Sequence, residues 1–411
     1  MSKGWGNSTD NSEKYRSWRF IDKKVGQIMG GDTAETVTQT SKPVLDKSAV
    51  PDLVHHIFGL TVTNVKELNA YDDLNFHIQV APVHSNPFIK EVCPDGYTLK
   101  ALNSVESKRP AIVEAHNQLM WKLKDEGFSV PYPTRTVSNT EWSVERLTKT
   151  AGPRWRPQDD SEPASDHVVR LLAFVPGQIL HSVPYTPTLI FEMGEMASRI
   201  ANCLKDFHHP VYDDLDSSWY LRSVPRVAQF TWVVKDPTRR HMAEQAVERF
   251  TKEVVPVIDQ LPQGMLHGDL NEQNLLVSPG ADGQQHIAGL IDFGDSHRSA
   301  LVFELALVIM YMMVDCPAEL PRLDVGGHAL AGYRRHRALT PSELKVLKTC
   351  VCARFAQSLV LGAYAHHQNP ANEYVLMTAT NGWTAFAAIW EEPEERLYAR
   401  WEAIGRERWA E

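Results

Sequence analysis

The sequence predicts a two-lobed α+β fold, with a β-rich N-terminal lobe carrying one main helix and a mostly helical C-terminal lobe. Three observations predict it. Residues 49–175 alternate short strand-like runs with turn signals. After Pro176-Gly177 the apolar pattern changes to helical spacing over residues 176–411. A chain of 411 residues also exceeds what a single small core organises. Hydrophobic residues make up 43% and charged residues 23%, a balance that can bury a sizeable core in each lobe. Two such lobes leave a cleft between them, the usual place for a small ligand.

In chain order, residues 1–48 are rich in Ser, Thr, Asp and Lys without an apolar period, which reads as a flexible extension. Ordered sequence begins near Pro51, and the runs Leu60–Leu68, Asn75–Val80 and Gly96–Leu102 read as strands. Pro110 opens a helix whose Ile112, Val113, Leu119, Met120 and Leu123 recur at helical spacing up to Gly127. Thr148–Ser165, with three prolines and Trp155, reads as an exposed loop. Val168–Val175 is again strand-like until Pro176-Gly177 stops it. Thr186-Pro187 then starts a helix with a stripe of Leu189, Met193, Met196, Ala197, Ile200, Leu204 and Phe207. Further helical patterns cover about 239–259, 300–314, 342–365 and 374–391.

Composition narrows the partners. Forty-two basic against 51 acidic side chains give a net charge of -9, which argues against a nucleic-acid partner and suits a cationic small substrate. Five scattered cysteines without a CxxC suggest neither a disulfide framework nor a zinc site. The first 18 residues lack the apolar core of a signal peptide. The most apolar stretch, Ala300–Val314, contains Glu304 and is too short to span a bilayer. The expectation is a soluble, cytosolic protein with no membrane partner.

The chemistry lies in His267-Gly-Asp-Leu-Asn-Glu-Gln-Asn274, an H-x-D-x(4)-N pattern, followed 18 positions later by Asp292 within Leu290-Ile-Asp-Phe-Gly-Asp295. Either piece alone is more often a turn with a satisfied histidine, or a strand end before a bend. Together, in this order and after a β-rich lobe, they match the catalytic and metal loops of kinases. Phosphoryl transfer needs Mg²⁺ on the donor phosphates, and magnesium takes oxygen ligands, here Asn274 and Asp292. It also needs a carboxylate that orients the acceptor hydroxyl and takes its proton, the role expected of Asp269. His267 is expected to brace the loop by hydrogen bonding. Upstream, Lys100 ends a strand where such a fold places the lysine that holds nucleotide phosphates, and Glu114 in the next helix is its expected partner. The bland alternatives are a surface lysine and a solvated helix glutamate. No glycine-rich loop joins the first two strands; Ala70–Asn75 stands there instead, so Asn75 or backbone amides are expected to meet the nucleotide. Val169–Val175, including Leu172 and Phe174, is the expected hinge against the purine.

These motifs resemble the aminoglycoside phosphotransferase superfamily, relatives of protein kinases that phosphorylate small molecules. Within it the chain is most similar to the hydroxylysine kinases. Tyr71–His77, Val169–Gly177, Phe207–Pro210, His267–Leu276, Gly289–Asp295, Val302–Met313, Val325–Gly332, Arg354–Leu359 and Gly382-Trp383 carry the resemblance across about 53–385. It implies transfer of the γ-phosphoryl group of GTP, or ATP, to the hydroxyl of 5-hydroxy-L-lysine, with Mg²⁺, in amino-acid breakdown. By position it implies Asp269 as base, Asn274 and Asp292 as metal ligands, and Lys100 with Glu114 as nucleotide anchors. Ser296–Ala300 is more polar and basic than the family's tyrosine-rich version. An acceptor with two ammonium groups and a carboxylate calls for acids and a cation, for which Asp295, Arg222 beside Trp219, and Arg354 are the candidates. A phosphotransferase for an aminoglycoside or choline-like alcohol is the competing enzyme reading. A nucleotide-binding pseudokinase is the competing non-enzyme reading, disfavoured because base, metal ligands and lysine are all present.

Overall fold

The computed structural model of the protein describes residues 42–68, 73–148, 156, 164–368 and 374–409. The expected extension up to residue 41, turn residues 69–72 and most of the loop around Trp155 lie outside the described residues. Packing begins earlier than Pro51, since Leu45, Ala49 and Val50 are already buried. They lead into a helix that the strand-like reading of this region missed, α1 (Val50–Phe58). Its signals were local: a proline in its first turn, and Gly59 in the left-handed region at φ +63°, where a Cβ would meet Ser85 Oγ at 2.9 Å.

The N-terminal lobe is built on β1 (Val62–Leu68), β2 (Leu74–Val80), β3 (Tyr97–Ala101), the helix α2 (Pro110–Asp125), β4 (Ser143–Thr148) and β5 (Ala164–Ala173). The strands form one sheet in the order β1-β2-β3-β5-β4, antiparallel throughout. Side chains alternate between its faces. Phe76 and Ile78, Tyr97 and Leu99, and Val169 and Leu171 point one way and close a core with Leu53, Val54, Ile57 and Phe58 of α1. The opposite face receives Asn75, Lys100 and Arg170, which stand directly across from one another on β2, β3 and β5. One row of polar side chains is thereby turned to the far side of the sheet by strand parity alone.

The chain then passes through β6 (Gln178–Ile179), α3 (Pro187–Cys203), α4 (Pro237–Glu253), β7 (Gln263–Leu266), β8 (Leu275–Pro279), β9 (Gln285–Leu290), β10 (His297–Ala300), α5 (Val302–Val314), α6 (Val325–Arg334), α7 (Pro341–Gln368), α8 (Tyr374–Glu391) and α9 (Glu394–Arg408). The pattern read as one helix over 239–259 is two pieces. α4 stops at Glu253 and a 3-10 turn, Val255–Gln260, follows, because Pro256 has no N–H to continue the ladder. α6 and α9 were not read from the sequence. The glycines of α6 and α3 explain the first omission: a Cβ on Gly332 would lie 1.8 Å from Phe191 O, so these helices touch backbone to backbone where ordinary apolar side chains cannot fit. α7 is long and apolar enough to cross a membrane, yet 94% of its apolar window is buried inside the fold, which makes it a core helix. Short ladders β6-β8-β9 and β7-β10 sit in this helical lobe and carry the loops that matter.

Candidate active site

The loop His267–Asn274 joins β7 to β8, and its backbone is fixed by a residue far along the chain. Glu304, in the first turn of α5 and buried, accepts the N–H of His267 at 2.5 Å and of Gly268 at 3.2 Å. Burial pushes its carboxyl up to about 7, with the two backbone donors opposing the rise. His267 is itself buried and its Nε2 meets Ile291 O at 3.1 Å, which ties this loop to the one holding Asp292. Gly268 adopts φ +81°, and a Cβ there would lie 2.2 Å from Asp295 O. Gly268→Ala is therefore expected to cost at least about 2–3 kcal/mol and to abolish turnover, as read by thermal melting and initial rates.

Asp269 sits in a cage of amide donors. Asn271 Nδ2 donates to Oδ1 at 2.8 Å, while Asn274 Nδ2 donates to Oδ2 at 2.8 Å and to the Asp269 carbonyl at 2.9 Å. This fixes the carboxylate and turns Asn274 so that its own side-chain oxygen accepts no hydrogen bond among the described residues. The Ile291 N–H donates to Asn274 O at 2.9 Å, one rung beyond the Leu275–Leu290 pair of β8 and β9, so Asp292 stands close by. Asp292 is held at φ +64°, takes the Gly294 N–H at 3.4 Å, and lies 3.9 Å from Lys100 Nζ. Two hard oxygen donors at adjoining strand ends, next to a lysine, fit a small divalent cation bound to phosphates.

Lys100 lies on β3, as the sequence predicts, but Glu114 is not beside it. Its Nζ lies 3.1 Å from Asp73, a buried carboxylate that also accepts the Asn103 N–H and Nδ2. Glu114 faces solvent and takes only a bond from Gln118, one turn on. The helical phase of α2 is the reason: the face turned inward carries Val113, His116 and Asn117, and residue 114 falls outside it. His116 is held down at about 3 by burial and by the neighbouring cations Arg170 and Lys100, so it packs there neutral. Asn75 stands opposite Lys100 with its Oδ1 buried and unbonded.

Of the segment Val169–Val175 expected as a hinge, residues 169–173 are paired with β3. Leu172 is committed to the sheet, pairing with Thr98 and bridged to Pro133 on its other side. The Phe174 N–H donates to Gly96 O, and the Phe174 ring stacks on His77 at 3.8 Å. Among the described residues the Phe174 carbonyl and the Val175 N–H are left as the free backbone edge.

A buried polar cluster centres on Arg354, and its Tyr311 feels the charge of Asp269. Arg354, only 2% exposed, donates to Trp219 O at 2.7 Å, Gln357 Oε1 at 2.8 Å and Tyr311 Oη at 2.7 Å, and stacks over Trp219. All these acceptors are neutral. Arg222 is not part of this group: it is exposed and pairs with Asp259 at 3.0 Å, because the 3-10 helix Leu221–Val233 buries Leu221, Ser223 and Val224 and leaves residue 222 outward. Asp295 is half-buried, its carbonyl bound by His297 Nδ1 at 2.8 Å. The polar segment after it is interior: Ser296 donates to His267 O, and His297 stacks on Tyr220 at 3.7 Å. Sequence reasoning missed Asp73 and Glu304 as site residues. Only Glu304 carried a signal, as a lone acid in an otherwise apolar run.

Residues 144–339 match the model of the phosphotransferase enzyme family. Hydroxylysine kinase of Bos taurus is 32% identical over 91% of this chain and 96% of its own length, and that of Danio rerio 31% over 89% and 97%. Among solved structures, an amicoumacin kinase in complex with AMP-PNP, Ca²⁺ and Ami superposes with a TM-score of 0.59 at 15% identity, covering 86% of this chain and 97% of that one. A microcompartment-associated aminopropanol kinase gives 0.58 at 16%, covering 88% and 99%. The two-lobed arrangement is thus a kinase-like fold, and the chain belongs to the hydroxylysine kinase family, phosphotransferases that act on the hydroxyl group of a small molecule.

Proposed function

We propose that this enzyme transfers the γ-phosphoryl group of GTP or ATP to the side-chain hydroxyl of 5-hydroxy-L-lysine, a step in hydroxylysine breakdown. The observation that carries the reading is the caged Asp269, whose two oxygens are oriented by Asn271 and Asn274 while the metal-type oxygens of Asn274 and Asp292 adjoin it. Asp269 orients the acceptor hydroxyl and accepts its proton as the new O–P bond forms. The bond between the β- and γ-phosphates breaks, and the nucleoside diphosphate departs with the electron pair. Asn274 and Asp292 would hold Mg²⁺, which neutralises charge on the donor phosphates when bound. Lys100 turns from Asp73 toward the same phosphates, Asn75 faces them from β2, and the Phe174–Val175 edge meets the purine.

Arg354 supports an amino-acid acceptor. Its hydrogen-bond acceptors are all neutral, so a substrate carboxylate near Tyr311 and Trp219 would give the buried guanidinium a direct ionic partner. Asp295 remains the candidate for an ammonium. Small soluble substrates and a fully packed apolar helix suit a cytoplasmic enzyme.

The test is diphosphate release by the full chain. Release that requires both 5-hydroxy-L-lysine and Mg²⁺, with GTP or ATP as donor, is the expected result. Release stimulated by an aminoglycoside or choline, and not by hydroxylysine, would overturn the acceptor. Lys100→Met is expected to lower kcat/KM by at least about 100-fold in the same assay, because it removes a fixed cation from the developing phosphate charge.

A further inference from the structure

The catalytic loop carries one more acid that the reaction above does not use. Glu272 lies between Asp269 and Asn274, in the turn closed by the Asn274 N–H on Asn271 O. Among the described residues its Oε2, withdrawn from solvent, accepts no hydrogen bond, while Oε1 has a long contact, 3.4 Å, from Gln273. A buried carboxylate oxygen without a donor is costly, and the usual remedy is a cation. Two other side chains converge on it. His181, from the turn after β6, donates its backbone N–H to Glu272 O at 3.0 Å, and its Nδ1 is 3.9 Å from Asp315. The ligand-type atoms of His181, Glu272 and Asp315 all lie within 4.8 Å of one another. Asp315 also caps the C-terminus of α5, where the helix dipole adds negative potential. Tyr311, one turn earlier on α5, feels the charges of both Asp269 and Glu272 and bonds Arg354. The cluster is therefore joined through α5 to Tyr311 and Arg354.

From this geometry we infer that Glu272, Asp315 and His181 form the subsite for the primary ammonium that neighbours the accepting hydroxyl. The inference rests on the acceptor reading above. In 5-hydroxy-L-lysine the hydroxyl and the ε-ammonium sit on adjacent carbons, so a hydroxyl delivered to Asp269 brings the nitrogen to a group only a few residues along the same loop. Glu272 is that group. Its free oxygen and Asp315 accept two of the three N–H donors of an ammonium. His181 closes the third side of the subsite. Arg354 at the far side of Tyr311 then meets the opposite end of the substrate. The subsite thus selects a vicinal amino alcohol over an acceptor with a bare hydroxyl.

Binding tests this apart from turnover. Calorimetry on the full chain with Mg²⁺ and a non-hydrolysable nucleotide would compare L-lysine with L-norleucine, which has the same chain without the ε-ammonium. Wild type is expected to prefer lysine by about 30-fold or more. Glu272→Gln and Asp315→Asn should each erase most of that preference by weakening lysine, with norleucine moving less than about threefold. Equal losses for both ligands would make the cluster structural and overturn the inference, as would an unchanged preference in both variants. A Mn²⁺ ion bound to nucleotide-free protein and lost in either variant, with lysine affinity unmoved, would make it a metal site instead. Asp315→Asn alters a partly exposed side chain, so it keeps the test alive should Glu272→Gln fail to fold. If lysine binds with the expected preference but hydroxylysine is never phosphorylated, the reaction reading falls and the subsite stands.

Discussion

Asp269→Asn is expected to lower kcat by about 10²–10⁴-fold while nucleotide affinity stays within about twofold. The asparagine keeps the size of the side chain and one acceptor oxygen. It cannot take the hydroxyl proton, and its NH₂ must face the side-chain amide of either Asn271 or Asn274, both of which donate to the aspartate at 2.8 Å. The clash is local, so melting temperature should move little. Single-turnover rates with saturating nucleotide, beside a nucleotide titration, separate the two effects. Near-normal turnover would remove Asp269 from the role of base.

The second large effect belongs to Glu304. It is expected to set part of the pH dependence of stability, because its carboxyl is raised by burial to about 7 in the folded protein from 4.5. Below pH 4.5 the group is protonated in both states and imposes no penalty. Between 4.5 and 7 the folded chain keeps a proton that the unfolded chain releases, so stability falls as pH rises, and above 7 the loss is complete. The shift corresponds to about 3 kcal/mol. Glu272, raised to about 7 mainly by burial, adds a slope of the same sign. Glu304→Gln should therefore flatten the decline between pH 5 and 8 in denaturant titrations without removing it. It should also depress kcat, since the N–H groups of His267 and Gly268 lose a charged acceptor. An unchanged pH slope in the variant would contradict the buried, raised carboxyl. Glu304→Ala goes further, leaving both N–H groups without a partner, and is expected to cost about 3–5 kcal/mol.

These residues also show which parts of the molecule were legible in the sequence. The loop His267–Asn274 and the Asp292 motif could be read because their chemistry is packed into short stretches whose spacing the reaction itself dictates. Three strands of the sheet could be read from β-like runs bounded by turn signals, whereas the pairing that sets Asn75 opposite Lys100 came only with the register. What failed were inferences about who meets whom across the fold. Lys100 was assigned Glu114 by position in the next helix, but α2 turns His116 and Asn117 inward, and the counter-ion comes from Asp73 at the start of β2. Arg222 and Arg354 looked equivalent as cations; packing against Trp219 and Tyr311 buries one, and the other faces solvent. The helices α1, α6 and α9 were missed for different reasons. α1 is only nine residues long, α6 is rich in glycine where it touches α3, and α9 is mostly polar on its open face. Glu304 had a readable signal, an acid in an apolar run, but its partners lie 36 and 37 positions earlier and only the fold brings them together.

The most direct test of the account is mass spectrometry of 5-hydroxy-L-lysine after incubation with the full chain, Mg²⁺ and either GTP or ATP. The account predicts a gain of one phosphoryl group on the side-chain oxygen, absent with plain lysine and lost in Asp269→Asn. Hydroxylysine left unmodified by a chain that binds the nucleotide would contradict it.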